Sequence, residues 1–403
     1  MSETVRQLRA LMSTAVGEPP RRIGAAAIRR RAARRRLAAS AVAAAAVVLA
    51  GSIGVAFAAA HGVRTVHPRV STTHPISVAV PRYYVVRATG AETTVRAVAT
   101  GAVRDKVRCP WRAPNVAPGV VAAGDQQTFF LVCQRFARPV GWAPVLESRI
   151  YMFRITASGK ASRLVLVRGG SLIGLRVRAM AVTPDSSEVA VIVLPGRYQA
   201  FQIKIPADVY VINTSTGARA VWHAAEPLPY RIVYYPQDIS LTADGRELAF
   251  LTMPQCFPST TGPNCTVHGG QQVRVASPAA HGGQLNNAPV LVPLYSILRL
   301  SGTPVHDAVL SRDGSTLTLV IQGPLSAMPD SLSIIQIPTT GNVRLRYIYR
   351  SGDTGVTFFS ADPSVRHFLL GASDNNGPVD GWIDHGRLIR LPPDPITVDS
   401  MAW

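Results

Sequence analysis

His61, His67 and His74 stand six and seven residues apart in HGVRTVHPRVSTTHPISVAVP (61–81). Imidazoles bind zinc where a rigid element holds them in tetrahedral geometry. This stretch mixes Pro, Ser, Thr and His without periodicity and reads as a linker, so no metal is assigned to it. Asp374-Asn375-Asn376-Gly377 with Asp380 has carboxylates and amides of the kind that bind calcium, but its spacing fails the EF-hand pattern, and a turn is expected. His223, His306, His367 and His385 fall in expected strands or turns with no recurrent carboxylate partner and are read as structural. No Gly-x-Ser-x-Gly elbow, His-Glu-x-x-His pair or Walker sequence occurs. No catalytic, cofactor-binding or metal-binding residue is therefore assigned, and no cofactor is expected.

The acids that do recur are Asp125, Asp185, Asp244, Asp313 and Asp362, and their surroundings recur with them. ISLTADGRELAFLT (239–252) places an Ala-Asp-Gly turn between two apolar runs. MAVTPDSSEVAVIVL (180–194), AVLSRDGSTLTLVI (308–321), VTFFSADPSVRHFLL (356–370) and GVVAAGDQQTFFLV (119–132) share the layout. Pro-Asp and Asp-Gly reverse the chain between adjacent antiparallel strands, so these acids are turn formers, not general acids. Val, Ile, Leu, Phe and Thr on both sides suit strands buried on both faces. A strand, a Gly turn and a second strand follow each hairpin, as in RIYMFRITASGKASRLVLV (149–167), DVYVINTSTGARAVWHA (208–224), SLSIIQIPTTGNVRLRYIY (331–349) and GWIDHGRLIRLP (381–392). A serial unit of four antiparallel strands, A to D, predicts a β-propeller.

Thr183-Pro184-Asp185, Thr242-Ala243-Asp244-Gly245 with Leu248-Ala249-Phe250, and Ser311-Arg312-Asp313-Gly314 resemble the TolB-like and WD40-like propeller repeats, over most of residues 82–403. The Trp-Asp dipeptide of WD40 repeats and the Trp of sialidase Asp-boxes are absent. The resemblance implies a fold and says little about function.

Ring closure is consistent with that fold. YYVVRATGAETTVRAVAT (83–100) reads as a C–D pair with no A–B hairpin before it, and ITVDSMAW (396–403) as an inner strand with nothing after it. Together they would complete a composite blade, leaving no exposed sheet edge at the seam. With five internal units the expectation is an all-β propeller of about six four-stranded blades, five or seven remaining open because the third unit carries two inserts.

Four cysteines allow three pairings. Cys256 with Cys265 across a Pro/Gly loop, and Cys109 with Cys133, is the expected pair of disulfides. The B–C loops are long and the A–B turns tight, so inserts gather on one face. Those loops carry Arg135, Phe136, Arg138, Trp142, Arg197, Tyr198, Phe201, Phe257 and His268, residue types enriched at interface hot spots. They are the candidate binding residues.

The first sixty residues differ in character. VRQLRALMSTAV carries apolar residues at helical spacing, Pro19-Pro20 ends it, and six Arg stand at 29–31 and 34–36. LAASAVAAAAVVLAGSIGVAFAAA (37–60) then has no charge and is long enough to span a bilayer. The expected organisation is a basic cytoplasmic tail (1–36), one transmembrane helix (37–60) or long signal peptide, a linker (61–81) and an extracytoplasmic propeller (82–403), secreted if the span is cleaved. The layout resembles the start of actinobacterial membrane proteins, some of them regulatory. Residues 1–36 hold +8 of the +19 formal charge. The remaining basic residues form no aromatic-interleaved block, so nucleic acid is not expected as a partner. The leading expectation is a non-enzymatic envelope binding or scaffold module with a protein or glycan partner. A transmembrane regulator whose residues 1–28 dock a cytoplasmic factor, and an enzyme with its site in the propeller funnel, are the alternatives.

Overall fold

The computed structural model of the protein describes residues 80–403, apart from 89–91, 112–118, 138–144, 197–206, 225–231, 243–244, 257–270, 278–281, 295–304, 312, 323–331, 341–343, 353–354, 363–364, 375–376 and 393–397. Six sheets follow one another along the chain. The first contains β1 (Tyr83–Ala88), β2 (Glu92–Ala97) and β3 (Val103–Arg108). Blade 2 is β4 (Val120–Ala122), β5 (Thr128–Ala137), β6 (Val145–Arg154) and β7 (Val165–Ile173). Blade 3 is β8 (Leu175–Val182), β9 (Glu188–Pro195), β10 (Asp208–Asn213) and β11 (Arg219–His223). Blade 4 is β12 (Ile232–Leu241), β13 (Leu248–Cys256), β14 (Gln272–Ala276) and, after the two-residue β15 (Gly283–Gln284), β16 (Val290–Pro293). Blade 5 is β17 (Val305–Leu310), β18 (Thr316–Gln322), β19 (Leu332–Pro338) and β20 (Arg346–Ser351). Blade 6 is β21 (Gly355–Ala361), β22 (Phe368–Asp374), β23 (Gly377–Asp384) and β24 (Arg387–Arg390). The last strand, β25 (Val398–Ala402), joins blade 1 inside β1, giving the order β25-β1-β2-β3. Among the described residues no helix is long and apolar enough to cross a membrane; residues 37–60 lie outside them.

The sequence of each B strand explains why the sheets stack face to face. In β9, Val189, Val191 and Val193 pack with Phe130, Val132 and Ile150 of blade 2, while Ala190 and Ile192 pack with Ile239, Leu248 and Phe250 of blade 4. In β18, Leu317, Leu319 and Ile321 face blade 4 and Val320 faces blade 6. Side chains alternate across a strand. A strand apolar at every position therefore suits a sheet buried on both faces, and a ring of such sheets buries them all. Each of the six core clusters among the described residues lies between two consecutive blades.

The A–B turns share one hydrogen-bond plan. The amide of Thr183 donates to Glu188 O and that of Ser186 to Thr183 O; the same pair of bonds starts from Ala123, Thr242, Ser311 and Asp362. The fourth residue is left-handed every time: Gln126, Ser186, Gly245, Gly314 and Val365, with φ from 53° to 71°. Asp125, Asp185 and Asp313 accept backbone amides two residues ahead through Oδ1, as turn formers. Asp244 itself lies outside the described residues, but Gly245 and Thr242 keep the plan on either side. Asp362 corrects the sequence alignment. It stands where Thr183 and Thr242 stand, and its Oδ1 takes the amide of His367 at 3.0 Å as the Thr183 hydroxyl takes that of Glu188. The fifth copy thus replaces a hydroxyl acceptor by a carboxylate.

The composite blade forms as expected, with one correction. Residues 83–108 supply three strands, B, C and D, not a C–D pair; the KVR segment at 106–108 pairs with 92–94 across the 98–102 turn. Polar β3 was missed because an outermost strand needs no apolar alternation. Cys109 and Cys133 form a disulfide that ties the end of β3 to β5. Cys256 ends β13, and Cys265 lies outside the described residues. In blade 4 the C–D insert turns back so that β15 pairs parallel with β11, adding a fifth strand to blade 3. Gly282 (φ 96°) makes this approach possible, since a Cβ there would stand 2.0 Å from Val221 O.

Candidate functional site

The inner strands β4, β8, β12, β17, β21 and β25 stand side by side in that order and close on one another. Within them runs a channel of about 180 Å³. Its walls include Val121–Ala122, Met180–Val182 and Phe359–Ala361, apolar except for Ser360. One end is formed by the A–B turns. There the Gly124 amide donates to Pro184 O at 2.9 Å, and a Cβ at 124 would lie 2.4 Å from the Pro184 Cβ, so only glycine allows the two turns to meet. Toward the other end the wall carries Asp238 and Asp307.

That second end is built by a repeated irregularity. In β8 the register passes from Val177↔Val193 to Ala179↔Ile192, leaving Arg178 as an extra residue. Gln237 is skipped in β12, His306 in β17 and Thr357 in β21. The pairing of β25 steps past residue 399 in the same way. A bulge bends its strand and re-aims side chains out of the ladder. Arg178, Gln237, His306 and Thr357 each stand five residues before the first residue of their A–B turn (Thr183, Thr242, Ser311 and Asp362), so they share one level of the ring, displaced from the turns toward the end from which the B–C loops leave. Arg178, His306 and Thr357 are exposed, Gln237 is half-buried, and the Arg178 guanidinium donates to Gln237 Oε1.

An inner strand has an open edge whose amides need partners. Asp238 meets this for blade 5, its Oδ2 accepting the Ala308 amide at 2.9 Å; Ser240 accepts that of Leu310 at 3.1 Å. Ser400 Oγ accepts the Val120 amide at 3.3 Å, which joins β25 to β4. Both channel carboxyls are pushed up from the ordinary aspartate value. Burial raises Asp238 to about 6, against the pull of the Ala308 amide and of Arg178. Burial and then the neighbouring Asp238 charge hold Asp307 well above its usual range. Both residues are half-buried on adjacent inner strands, so the charge of one disfavours ionisation of the other.

The loop residues singled out from sequence divide into two groups. Arg138, Trp142, Arg197, Tyr198, Phe201, Phe257 and His268 lie outside the described residues. Arg135 and Phe136 end β5, and Phe136 is 46% exposed. Arg135 is engaged within the chain: Nε donates to Glu147 Oε2 at 2.7 Å, while Arg149 Nε holds Oε1 at 2.7 Å. Both guanidinium groups lie over the Trp111 ring, 4.6 and 4.9 Å from its centroid. Three of the histidines read as structural stand beside a carboxylate, in a different arrangement each time. His223 Nδ1 lies 3.2 Å from Asp208 Oδ2, His367 Nδ1 lies 3.3 Å from Asp362 Oδ2, and His385 pairs with Asp384. Two of these pairs form across a hairpin or turn, where register, invisible in spacing alone, sets the neighbour.

Sequence reasoning missed Arg178, Gln237, Asp238, Asp307 and Thr357. A signal was present: the inner strands of blades 3, 4 and 5 carry polar residues before or within their apolar runs, as in YPQDIS and VHDAVL.

These features define a closed six-bladed β-propeller with a polar channel end. No family model matches the sequence, and no curated protein matches it. Among solved structures, the chain is similar to a TolB-type protein of Agrobacterium tumefaciens, with 11% identity over 79% of this chain and 92% of that one, TM-score 0.44. It is also similar to the β-propeller domain of the trilobed protease from Pyrococcus furiosus, with 10% identity over 78% and 99%, TM-score 0.41. Kuenenia stuttgartiensis hydrazine synthase aligns at 12% identity over 75% and 77%, TM-score 0.37. At such identities the likeness concerns the propeller architecture alone.

Proposed function

We propose that this protein is a non-enzymatic binding module of the cell envelope, anchored through residues 37–60 with its propeller outside. Its partner, a protein or glycan, is taken at the B–C loop end of the channel. The observation that carries the reading is the coincidence of four inner-strand bulges with the Asp238/Asp307 pair at that one end. Arg178 offers donors, Asp238 and Asp307 acceptors, and Gln237 both, so a protruding polar group of a partner would find complementary hydrogen bonds there.

The test places a photocrosslinking residue at Thr357, or at Ser315 in an A–B turn, in the full-length chain within its own membranes. Adducts expected from Thr357 should disappear with Arg178→Ala and be absent from Ser315. Equal adducts from both ends, or adducts from Thr357 that Arg178→Ala leaves unchanged, sink the assignment. A second reading rests on the raised carboxyl pair, since a protonated and an ionised carboxyl side by side are what general acid–base catalysis requires. It predicts a hydrolytic activity abolished by Asp307→Asn; adduct formation that Asp307→Asn leaves intact, without any such activity, favours the binding module.

A further inference from the structure

Each C–D turn lies on the same face as the A–B turns, because strand C returns to the end from which strand B leaves. Glycines in these turns rest on the outer strand of the blade before. A Cβ at Gly386 would stand 3.0 Å from Ile348 O in β20, and one at Gly101 would stand 2.5 Å from Pro392 Cγ just beyond β24. One at Gly159 would stand 2.9 Å from Arg104 Cβ in β3. The outer rims of blades 5, 6, 1 and 2 therefore form one continuous edge.

What that edge displays changes around the ring. Arg344 and Leu345 lead into β20, which opens with Arg346 and Tyr347. Strand β24 opens with Arg387 and carries Ile389, and β3 opens with Val103 and Arg104. All are exposed; Val103, Leu345, Tyr347 and Ile389 each by 38–45%. Blade 2 continues the pattern with exposed Arg163, Val165 and Leu166. None of these arginines forms a side-chain hydrogen bond or ion pair among the described residues. The acids beside them are committed within the chain: Glu92 pairs with Lys106, Asp384 with His385, and Asp105 Oδ2 accepts the Ala161 amide at 2.8 Å. Blades 3 and 4 break the pattern. Arg168 donates to Ser215 O and Arg219 to Ser171 O, each at 2.8 Å, and the 277–289 connection of blade 4 has no charged residue. The A–B turns nearer the axis carry Asp125, Asp185 and Asp313, so the basic surface is an arc of the rim.

Arginines interleaved with exposed aliphatic and tyrosine side chains suit the interfacial zone of an anionic bilayer, where guanidinium groups meet phosphate oxygens and the apolar parts reach the acyl boundary. A fluid lipid surface offers phosphates at no fixed spacing, so it is met by an arc of charge rather than by a shaped pocket. The chain also enters the propeller within this arc. Val80 packs against the core between blades 6 and 1. Only residues 61–79, about 65 Å at full extension, separate it from the charge-free run 37–60. We propose that the turn-face rim of blades 5, 6, 1 and 2 docks on the anionic lipid surface beside the anchor, which turns the B–C loop end away from the bilayer toward a partner. The inference shares the membrane anchor with the function proposed above, and the experiment reads that anchor separately.

The test uses full-length protein reconstituted in phosphatidylcholine vesicles, with or without phosphatidylglycerol, containing a lipid that carries a quencher on its headgroup. A fluorescent amino acid is placed at Thr340, exposed in the C–D turn of blade 5, or at Thr216, exposed in that of blade 3. Thr340 should be quenched in the phosphatidylglycerol vesicles and released as salt rises, and Thr216 should not respond. Arg346→Ala and Arg387→Ala should each lower the ratio of quenched to unquenched protein about fivefold, with melting curves verifying that the variants remain folded. Retention by phosphatidylcholine vesicles after a salt wash reports on the anchor, whichever way Thr340 responds. Quenching at Thr340 that is absent, equal at Thr216, independent of phosphatidylglycerol or unchanged in the Arg346/Arg387 double variant overturns the docking. A response of Thr340 to a soluble anionic polysaccharide but not to lipid assigns the arc to a glycan and overturns it too.

Discussion

Replacing Asp307 by Asn should stabilise the propeller at neutral pH and leave it unchanged in acid. Asp238 is raised from 3.8 to about 6 by burial, and Asp307 further still by burial and by Asp238. A carboxyl whose folded value is raised contributes its full stability below the ordinary range. That stability is lost as pH rises toward the folded value, because the unfolded chain releases its proton first. For Asp238 alone the displacement corresponds to roughly 3 kcal/mol, and channel water still reaching the carboxyl reduces this to about 2 kcal/mol. The Asp307→Asn substitution removes a carboxyl whose ionisation burial and the Asp238 charge disfavour in the folded chain, and leaves the Ala308 amide bond to Asp238 intact. The full-length variant should therefore be more stable than wild type by about 2 kcal/mol at pH 7.5, some 4 °C in Tm for a domain of this size, and equal to it near pH 3.5. Thermal unfolding followed by circular dichroism across that pH series is the assay. Parallel wild-type and variant curves, with the same difference at both ends, would refute the raised Asp307 carboxyl.

Four further outcomes follow from other parts of the fold. Glu147, its side chain 5% exposed between Arg135 and Arg149, is buried at a cost that the two arginine hydrogen bonds outweigh, so its carboxyl lies below the ordinary value. Glu147→Ala should cost about 2 kcal/mol in urea unfolding at pH 7, and the cost should shrink as pH falls below the ordinary glutamate range, where the wild type loses the same stability. Ser186→Gly relieves a left-handed residue at φ 64° and should stabilise by roughly 0.5–1 kcal/mol in the same measurement. Removing the Cys109–Cys133 bridge, whose ends are 24 residues apart, should cost about 3 kcal/mol, read as a lowered urea midpoint in the Cys109→Ser/Cys133→Ser variant. Deleting residues 398–403 strips β25 from blade 1 and removes Trp403, 1% exposed, so hydrogen exchange should show loss of protection in β1 first.

Much of the architecture was legible without coordinates. The Asp turns of the repeats, the unbroken apolar runs beside them and the orphan strand at 396–403 together specify a ring closed by its own last strand. What failed was local and has a common cause. Strand β3, written VRDKVR, lies at the outer rim, where solvent removes the demand for apolar alternation. Asp362 was aligned with the other turn acids because it has their residue type, whereas the backbone bonds show that it fills the hydroxyl position. The histidine partners were missed because a pair such as Asp208 and His223 depends on strand register, which residue spacing does not encode.

The sequence by itself determined that this chain must stack sheets on both faces, since strands such as β9 and β18 are apolar at almost every position and no single-faced sheet could bury them. It also pointed to the ring, because 83–100, read as strands without an inner hairpin, and 396–403, read as an inner strand, each keep an open edge until they pair. Only the tertiary structure decided where chemistry gathers. Arg178, Gln237, Asp238, His306 and Asp307 are far apart in the chain and come together because each bulge falls at the same level of the ring. Strand periodicity is a local property, set by steric alternation within a few residues; the site is a property of the ring, set by which edges meet when it closes.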